Sequence, residues 1–542
     1  MIPTKFIELE AIPINLVTGK ADHKALAAMD IPQPHDSHLI DSASDSFESI
    51  LWKLWCRSLE VDHTAINEDA NFFDLGGHSL SAVTLTLDIE DFLGTELEGT
   101  EVYEYPIFRD FLSYLRQNND DPKDHHSSLR FWDDAAVPLS DFLHLKQNEA
   151  GVPPAGLHRN PAILITGATG FLGSFLLDSV VRNFDQDTKI YCLIRKTDQM
   201  ATQDRLRNTA LNLSITTLPM TGDRVIALEG DIEKPCLGLK EDIYEKLSEE
   251  VTSVFHCAAN VNLQYGYPEL RNSIVIGTRE ILKFATHRNG KSVHYISSNA
   301  VFPAIPGRLY SDDTDITSMA SAIHGGYSQA KWVADRLAQR ARESAVPVNI
   351  YRPGNIGPHT YTGAFNRKDL QTMVLKACMV VQAAPLETDW QFEMTPVDLV
   401  VETIAQAALS ESLGRNYNIV QEIPFSASLV FSRLLAHRYI RKFIPLDEWF
   451  LQVAAIGKES RDADLMIVGS AKKMANHALT NMASFACENF LLTQHQKSLS
   501  RLYLQPDYID HFLREMNRSF FGENDRFEPL APNTHIRQES TL

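Results

Sequence analysis

Cysteine is scarce in this 542-residue chain: six residues, Cys56, Cys192, Cys236, Cys257, Cys378 and Cys487, far apart from one another. No two make a C-x-x-C pair and none stands at paired His/Cys spacing. That argues against a disulfide framework or a zinc site and for buried, reduced thiols. Long apolar runs are missing too. No stretch reaches 18 uninterrupted apolar residues, so no membrane-spanning helix is expected. The opening MIPTKFIELEAIP has no apolar core of a secretory signal, which makes a cytoplasmic protein the expectation. There is no internal repeat. Positive charge is outnumbered, with 50 Lys+Arg against 70 Asp+Glu and a net charge of −20, so a nucleic acid partner is not expected. Across 58–108 positive charge vanishes. That window holds no Lys or Arg but carries Glu60, Asp62, Glu68, Asp69, Asp74, Asp88, Glu90, Asp91, Glu96, Glu98, Glu101 and Glu104.

What is present divides into zones. Residues 1–41 are short and punctuated by proline. Residues 42–118 read as helical, with Phe47, Ile50, Leu51 and Leu54 at helical spacing. Residues 119–160 are rich in Asp, His, Pro and Gly and read as a linker, with a short ordered patch at Phe131 and Trp132. From 161 short apolar runs alternate with helical stretches. Strands are expected at 162–166, 189–194, 224–228, 253–256, 292–296 and 348–351. That order implies βαβ crossovers and a doubly wound parallel sheet of Rossmann type covering 161–398. Residues 399–542 read as a mostly helical substrate or lid subdomain and tail.

The run AILITGATGFLG places Gly167-x-x-Gly170-x-x-Gly173 between an apolar strand and a helix. Glycines there permit a tight turn and a close backbone approach to a pyrophosphate, and the helix start offers unpaired N–H donors. Thr169, Phe171 and Leu172 complete that turn. An NAD site usually carries Asp or Glu after the second strand, but here Arg195 and Lys196 stand there. Two cations suit a 2′-phosphate, so NADPH is the expected cofactor. Asp231 and Ile232, in EGDI after the third strand, stand where an adenine edge would be met; an N-cap role fits Asp231 equally.

Tyr327 and Lys331 are four residues apart, on one helix face. A cation near a tyrosine lowers its pKa, and a tyrosine so placed can give a proton to a carbonyl oxygen. Ser298, at the end of the fifth strand, supplies a second hydrogen bond to that oxygen. Ser297 competes, and alternation along the strand puts the two serines on opposite faces.

These pieces together resemble the extended short-chain dehydrogenase/reductase family over 161–398. The resemblance rests on GATGFLG, the GDI turn, HCAANVN at 256–262, the Ser298/Tyr327/Lys331 set and YRPGNIG at 351–357. It implies that Ala258, Ala259 and Asn260 line the cofactor, that Pro353 and Gly354 sit near the nicotinamide, and that Lys331 also reaches the nicotinamide ribose. Upstream, NFFDLGGHSL at 71–80 resembles the thiolation motif of peptidyl carrier proteins. That implies 4′-phosphopantetheine on Ser79, with Gly76 and Gly77 forming a turn and the serine hydroxyl exposed at a helix start. A phosphopantetheinyl transferase is then a required partner, and the acidic window becomes its docking face. AIPINLVTGKADHKAL at 11–26 resembles the last motif of adenylation domains, with Lys20 as its lysine. Nearly all of such a domain is missing, so an adenylation partner in cis or in trans is implied.

Carrier plus reductase on one chain resembles carboxylic acid reductases, aminoadipate-type reductases and reductive-release synthetases. The implied reaction is NADPH-dependent reduction of an acyl thioester on the protein's own carrier to an aldehyde, with a second hydride leading to the alcohol. Two rivals are an epimerase or dehydratase acting on a free substrate, and a non-redox carrier or docking protein.

Overall fold

The computed structural model describes residues 47–59, 61, 66–77, 79–93, 97, 101–117, 131–143, 162–197, 200–216, 224–262, 265–386, 388–410, 413–470, 472, 478–480, 483–495 and 506–522. The adenylation-like segment with Lys20 lies outside the described residues.

The first unit is helical. Helices α1 (Phe47–Leu59), α2 (Ser79–Leu93) and α3 (Phe108–Gln117) pack with the short helix Glu101–Glu104. Ile50, Leu51, Leu54 and Trp55 repeat at the spacing of one helix face and are all buried. Trp55 takes Phe72 and Phe108 edge-on, with ring centres 5.2 and 5.1 Å away. Edge-to-face packing of this kind adds about 0.5–1.5 kcal/mol per pair beyond area burial.

The second unit is built on seven parallel strands: β1 (Ala162–Thr166), β2 (Lys189–Ile194), β3 (Val225–Glu229), β4 (Val251–His256), β5 (Ser292–Ile296), β6 (Val348–Pro353) and β7 (Asn416–Ile419). Their order across the sheet is β7-β6-β5-β4-β1-β2-β3. The order reverses between β1 and β4, and the crevice at the strand ends there is where such sheets bind ligands. Side chains of β1 alternate between two cores. Ile163 and Ile165 face α4 (Phe171–Asn183) and Ala162 and Leu164 face α5 (Gly326–Glu343). The Rossmann-type sheet is thus as the sequence predicts, with β3, β4 and β6 shifted or lengthened by a residue or two at their ends.

Two features differ from the sequence reading. Strand β7 lies past residue 398, in the part expected to be mostly helical, and joins the edge of the main sheet against β6. Its residues, NYNI, are half polar. Their burial is sustained by hydrogen bonds from the Asn416 and Asn418 amides to the Asp312 and Tyr310 carbonyls, at 3.0 and 3.4 Å. The patch at Phe131 is the helix Phe131–Ala135, and it is part of the reductase body rather than a linker element. Phe131 packs on Tyr267 and Trp332, and Asp134 accepts two 2.6 Å bonds from the Arg271 guanidinium. Burial opposes ionisation of Asp134, but the Arg271 and Tyr267 hydrogen bonds hold its carboxyl below the usual range.

A third core gathers α6 (Leu370–Val381), α8 (Ala427–Ala436), α9 (Leu446–Ser460), α10 (Ala463–Ser470) and α11 (Pro506–Phe521) around Trp390, Phe392, Phe431 and Trp449. Helix α7 (Val397–Leu409) lies against α4, in the layer covering the main sheet. The carrier-like unit rests on both other units. Helix α2, which begins at Ser79, packs along α10. Lys458 stands 3.9 Å from Asp88, and the Tyr103 ring meets the Tyr265 ring at 5.1 Å.

Candidate active site

The cofactor crevice starts at the end of β1. Gly167 has φ +76°, and a Cβ there would stand 2.7 Å from the Ala258 nitrogen. Only glycine lets this turn touch the loop after β4. A Cβ on Gly173 would come within 2.1 Å of the Gly167 carbonyl, so the first turn of α4 presses on the loop. Gly170 is the N-cap of α4, without a side-chain cap and with no acidic residue in the first turn. The helix therefore presents free N–H groups and a partial positive charge, which fits a pyrophosphate. Thr169 is half-buried beside Gly170, and Phe171 and Leu172 open the helix.

The facing loop is pinned from below. Thr166, fully buried, takes the Ala258 N–H on its hydroxyl at 3.2 Å and lies 2.8 Å from His256 Nδ1. The other ring nitrogen of His256 meets the Thr278 hydroxyl at 3.2 Å. Burial, aided by the Lys331 charge, pushes the His256 imidazole down to about 3, so it stays neutral and structural. Ala258, Ala259 and Asn260 follow it, half-buried along the crevice wall.

Arg195 and Lys196 project from the end of β2 with exposed side chains, loosely paired with Glu233 at 3.4 Å and Glu229 at 3.1 Å. Exposed pairs of this length are weak, so both cations stay available to an anionic ligand. Asp231 closes a turn after β3: its Oδ1 accepts the Glu233 N–H at 3.1 Å, and the helical turn that follows has Lys234, not Asp231, as its N-cap. Ile232 is buried against Gly277, where an added Cβ would lie 2.7 Å from Ile232 Cδ1.

The proton-handling cluster forms where α5 meets β5. Lys331 is buried, donates from Nζ to the Ile296 carbonyl at 2.9 Å and lies 5.4 Å from the Tyr295 ring centre. Burial pushes its ammonium down to about 8. The Ser298 hydroxyl accepts the Ala300 N–H at 3.2 Å and hydrogen-bonds the Tyr327 phenol. Burial drives that phenol up to about 12, outweighing Ser298. The sequence expectation that a nearby lysine lowers the tyrosine is not met here, because desolvation is the larger effect. Tyr327 stands as a neutral O–H donor.

The two serines that follow β5 are separated as alternation predicts. Ser297 turns inward and donates to Asp335 Oδ2 at 2.6 Å. Asp335 also takes two 2.9 Å bonds from the Arg352 guanidinium and one of 2.6 Å from the Gln339 amide. Both members of the Arg352–Asp335 pair are 0% exposed. The Asp335 carboxylate thus ties together α5, the residue beside Ser298 and the residue before Pro353. Sequence reasoning missed it, although Tyr327, Lys331 and Asp335 recur at four-residue spacing on one helix face. Pro353 is buried at the end of β6, and Gly354 abuts Glu393, whose Oε2 would lie 2.3 Å from an added Cβ.

In the carrier-like unit Gly76 takes φ +95°, and Gly77 lies so close to Phe72 that a Cβ would meet its ring at 2.3 Å. The N–H groups of Gly76 and Gly77 donate to the Phe73 and Phe72 carbonyls at 3.1 and 3.0 Å. This turn delivers the chain to Ser79, the first residue of α2. The Ser79 side chain, expected to be exposed, lies outside what is described. Phe73 stacks on Tyr103 at 5.1 Å, the Tyr103 ring meets the Tyr265 ring at a tilt with centres 5.1 Å apart, and an added Cβ on Gly326 would lie 2.3 Å from the Tyr265 carbonyl. Aromatic contacts thus run from the serine loop to Tyr265, whose backbone abuts Gly326, the residue preceding Tyr327.

A helical carrier joined to a Rossmann-type reductase with a nicotinamide-cofactor crevice is the class these features define. Comparison with known proteins agrees. Residues 165–404 match the NAD-binding family described as "Male sterility protein", and residues 50–115 match "Phosphopantetheine attachment site". The terminal R domain from the myxalamid PKS-NRPS biosynthetic pathway superposes with a TM-score of 0.65 at 30% identity, covering 72% of this chain and 98% of that one. The chain belongs to this family of nonribosomal-peptide-synthetase reductase domains, with a phosphopantetheine carrier ahead of the reductase. An archaeal thiolation-reductase di-domain shares the fold, with a TM-score of 0.64 at 20% identity over 88% of this chain and 98% of that chain. Glycine betaine reductase ATRR of Emericella nidulans is 30% identical over 461 residues, 83% of this chain but 35% of that protein. The L-2-aminoadipate reductase large subunit of Candida glabrata is 25% identical over 448 residues, 77% of this chain and 32% of that protein. The chain therefore spans about a third of the length of these curated relatives. No described helix is long and apolar enough to cross a membrane.

Proposed function

We propose that the protein reduces an acyl thioester carried on Ser79 and releases it as an aldehyde. The observation that carries this reading is the seating of the Ser79 helix on the reductase, with Tyr103 on Tyr265 beside the helix of Tyr327. A substrate on a tethered arm reaches the site at an effective concentration in roughly the mM range. NADPH is the cofactor, held by the Gly167–Gly173 turn, by the free N–H groups of α4 and by Arg195 and Lys196; when bound, it supplies a hydride.

The chain's own groups handle the oxygen and the proton. Tyr327 and Ser298 hydrogen-bond the thioester carbonyl oxygen, where negative charge grows as the carbon is reduced. Tyr327 keeps its proton across the neutral range and gives it to that oxygen. Lys331, still largely charged near neutral pH, offsets the negative charge from behind. In net terms one hydride and one proton enter, the carbon–sulfur bond breaks, and an aldehyde and a free thiol leave. A second round on the aldehyde gives the alcohol. The thioester requires an ATP-dependent acyl-activating step and a phosphopantetheinyl transferase as partners, and the cytoplasm is where these meet.

The experiment is NADPH absorbance with a panel of acyl-pantetheine thioesters. Oxidation that falls at least about 100-fold in Tyr327→Phe fits the loss of a positioned proton donor. Absence of oxidation across the panel would overturn the reading.

A further inference from the structure

Glu393 is a buried acid that the proton-handling cluster does not use. It is 4% exposed. The Asn355 N–H donates to Oε2, and the Thr395 hydroxyl and the Gln421 N–H donate to Oε1, the last at 3.2 Å. No Lys or Arg among the described residues pairs with it. Neutral donors alone hold this carboxyl, which is a costly arrangement for a buried charge. Burial accordingly pushes it up to about 7.

The carboxyl touches the backbone of the crevice at one point. An added Cβ on Gly354 would lie 2.3 Å from Glu393 Oε2, so only glycine lets the chain close over it. The sheet register says where that glycine stands. Ile296 pairs with Tyr351, and the Ser297 N–H donates to the Tyr351 carbonyl at 2.7 Å. Continued by two residues, this register sets Pro353 level with Ser298, and Gly354 just beyond. Ser298 and Tyr327 mark the carbonyl to be reduced, and a hydride donor must lie against the carbon of that carbonyl. A nicotinamide ring is neutral before it gives up hydride and positive afterwards.

We propose that Gly354 borders the nicotinamide ring and that Glu393, acting through this glycine, is a positioning residue that favours the oxidised ring over the reduced one. A negative charge with protein rather than water in front of it acts more strongly than one at the surface. Placed there, it stabilises the positive charge that grows as hydride leaves. The inference rests on the NADPH reading and goes beyond it, since no proton passes through Glu393. The titratable groups near it are few. Tyr508 and Cys487 are both driven up by burial, Cys487 to about 12, and stay neutral. Asp369, beyond the Asn355 side chain, is pushed up to about 6, and Lys331 is set near 8.

The test measures cofactor binding alone, by calorimetry on the full-length protein with NADP+ and NADPH and no thioester. The readout is the ratio of the Kd for NADPH to the Kd for NADP+. The 2′-phosphate is common to both and cancels. Glu393→Gln should lower this ratio at least about threefold at about pH 8.5, where the carboxylate is charged. The difference between the two proteins should shrink toward about pH 6.5, as the wild-type carboxyl takes up its proton. Lys331 titrates in both proteins and drops out of that difference. Lys331→Met supplies a second route that does not need the glutamine variant to fold: its ratio should still rise between about pH 6.5 and 8.5. A glutamine variant that weakens both cofactors alike, with the ratio unchanged, overturns the proposal. So does a ratio flat in pH in Lys331→Met. Wild-type protein that binds neither cofactor overturns the NADPH reading and the proposal with it. A shifted ratio in a protein that reduces no thioester upholds the proposal and removes the thioester reading alone.

Discussion

Replacing Asp335 by alanine should damage the protein more than any surface change, and the structure says by how much. Asp335 and Arg352 are both 0% exposed and share two 2.9 Å bonds. Deleting the carboxylate strands a buried guanidinium, which costs about 3–5 kcal/mol. Ser297 and Gln339 lose their 2.6 Å acceptor as well, each adding on the order of 1 kcal/mol where water cannot enter. Against a typical stability of about 5–15 kcal/mol, that is a large share. Urea unfolding followed by tryptophan fluorescence is the assay, with Trp332 on the same helix as a buried reporter. The expected loss is at least about 3 kcal/mol. The double variant Asp335→Leu/Arg352→Met removes both charges and should recover most of it, because an apolar pair is often as stable as a buried ion pair. Burial raises the Asp335 carboxyl, but Arg352 and the hydrogen bonds outweigh it and leave it depressed. Its stabilising effect is therefore full above the unfolded carboxyl value and lost as pH falls through the folded one. A loss below about 1 kcal/mol in the single variant, or a double variant as unstable as the single, refutes the reasoning.

Other outcomes follow from the same geometry. Burial sets Lys331 near 8, so kcat should fall as pH rises past that value; a profile flat between about pH 7 and 10 contradicts this. Arg195→Glu should raise KM for NADPH by about tenfold or more and leave NADH within about twofold, since a charge-assisted bond to a phosphate is lost; equal effects on both cofactors would remove Arg195 from phosphate recognition. Phosphopantetheinylation of Ser79 should slow several-fold between roughly 50 and 500 mM salt, because twelve acids surround that residue in a window without basic ones. A rate independent of salt assigns the acidic window to solubility alone.

Much of this was legible from residue order. The apolar runs at β1, β2 and β5 are short and bounded by glycine or polar turns, so burial on both faces shows directly in composition. The Gly167-x-x-Gly170-x-x-Gly173 spacing was plain in the sequence, and backbone contact at Gly167 and Gly173 permits nothing larger there. The string around Ser79 was equally plain. Strand β7 was not, because two of its four buried residues are asparagines satisfied by the distant carbonyls of Asp312 and Tyr310. The helix at Phe131 was underestimated because its partners, Arg271 on Asp134 and Arg340 on the Ala135 carbonyl, lie far along the chain. Asp335 illustrates a different limit. Its spacing from Lys331 was visible, but its partner Arg352 becomes adjacent only when β6 lies beside β5.

The most direct measurement is a single turnover on the carrier itself. A phosphopantetheinyl transferase and an acyl-coenzyme A load Ser79, and mass spectrometry follows the Ser79 peptide after NADPH is added. The account predicts that the peptide loses its acyl mass and retains the pantetheine arm, with one aldehyde formed per NADPH oxidised. Ser79→Ala should give no loaded peptide. A peptide that keeps its acyl group through prolonged exposure to NADPH, across a panel of amino-bearing and plain acyl chains, would contradict the central claim.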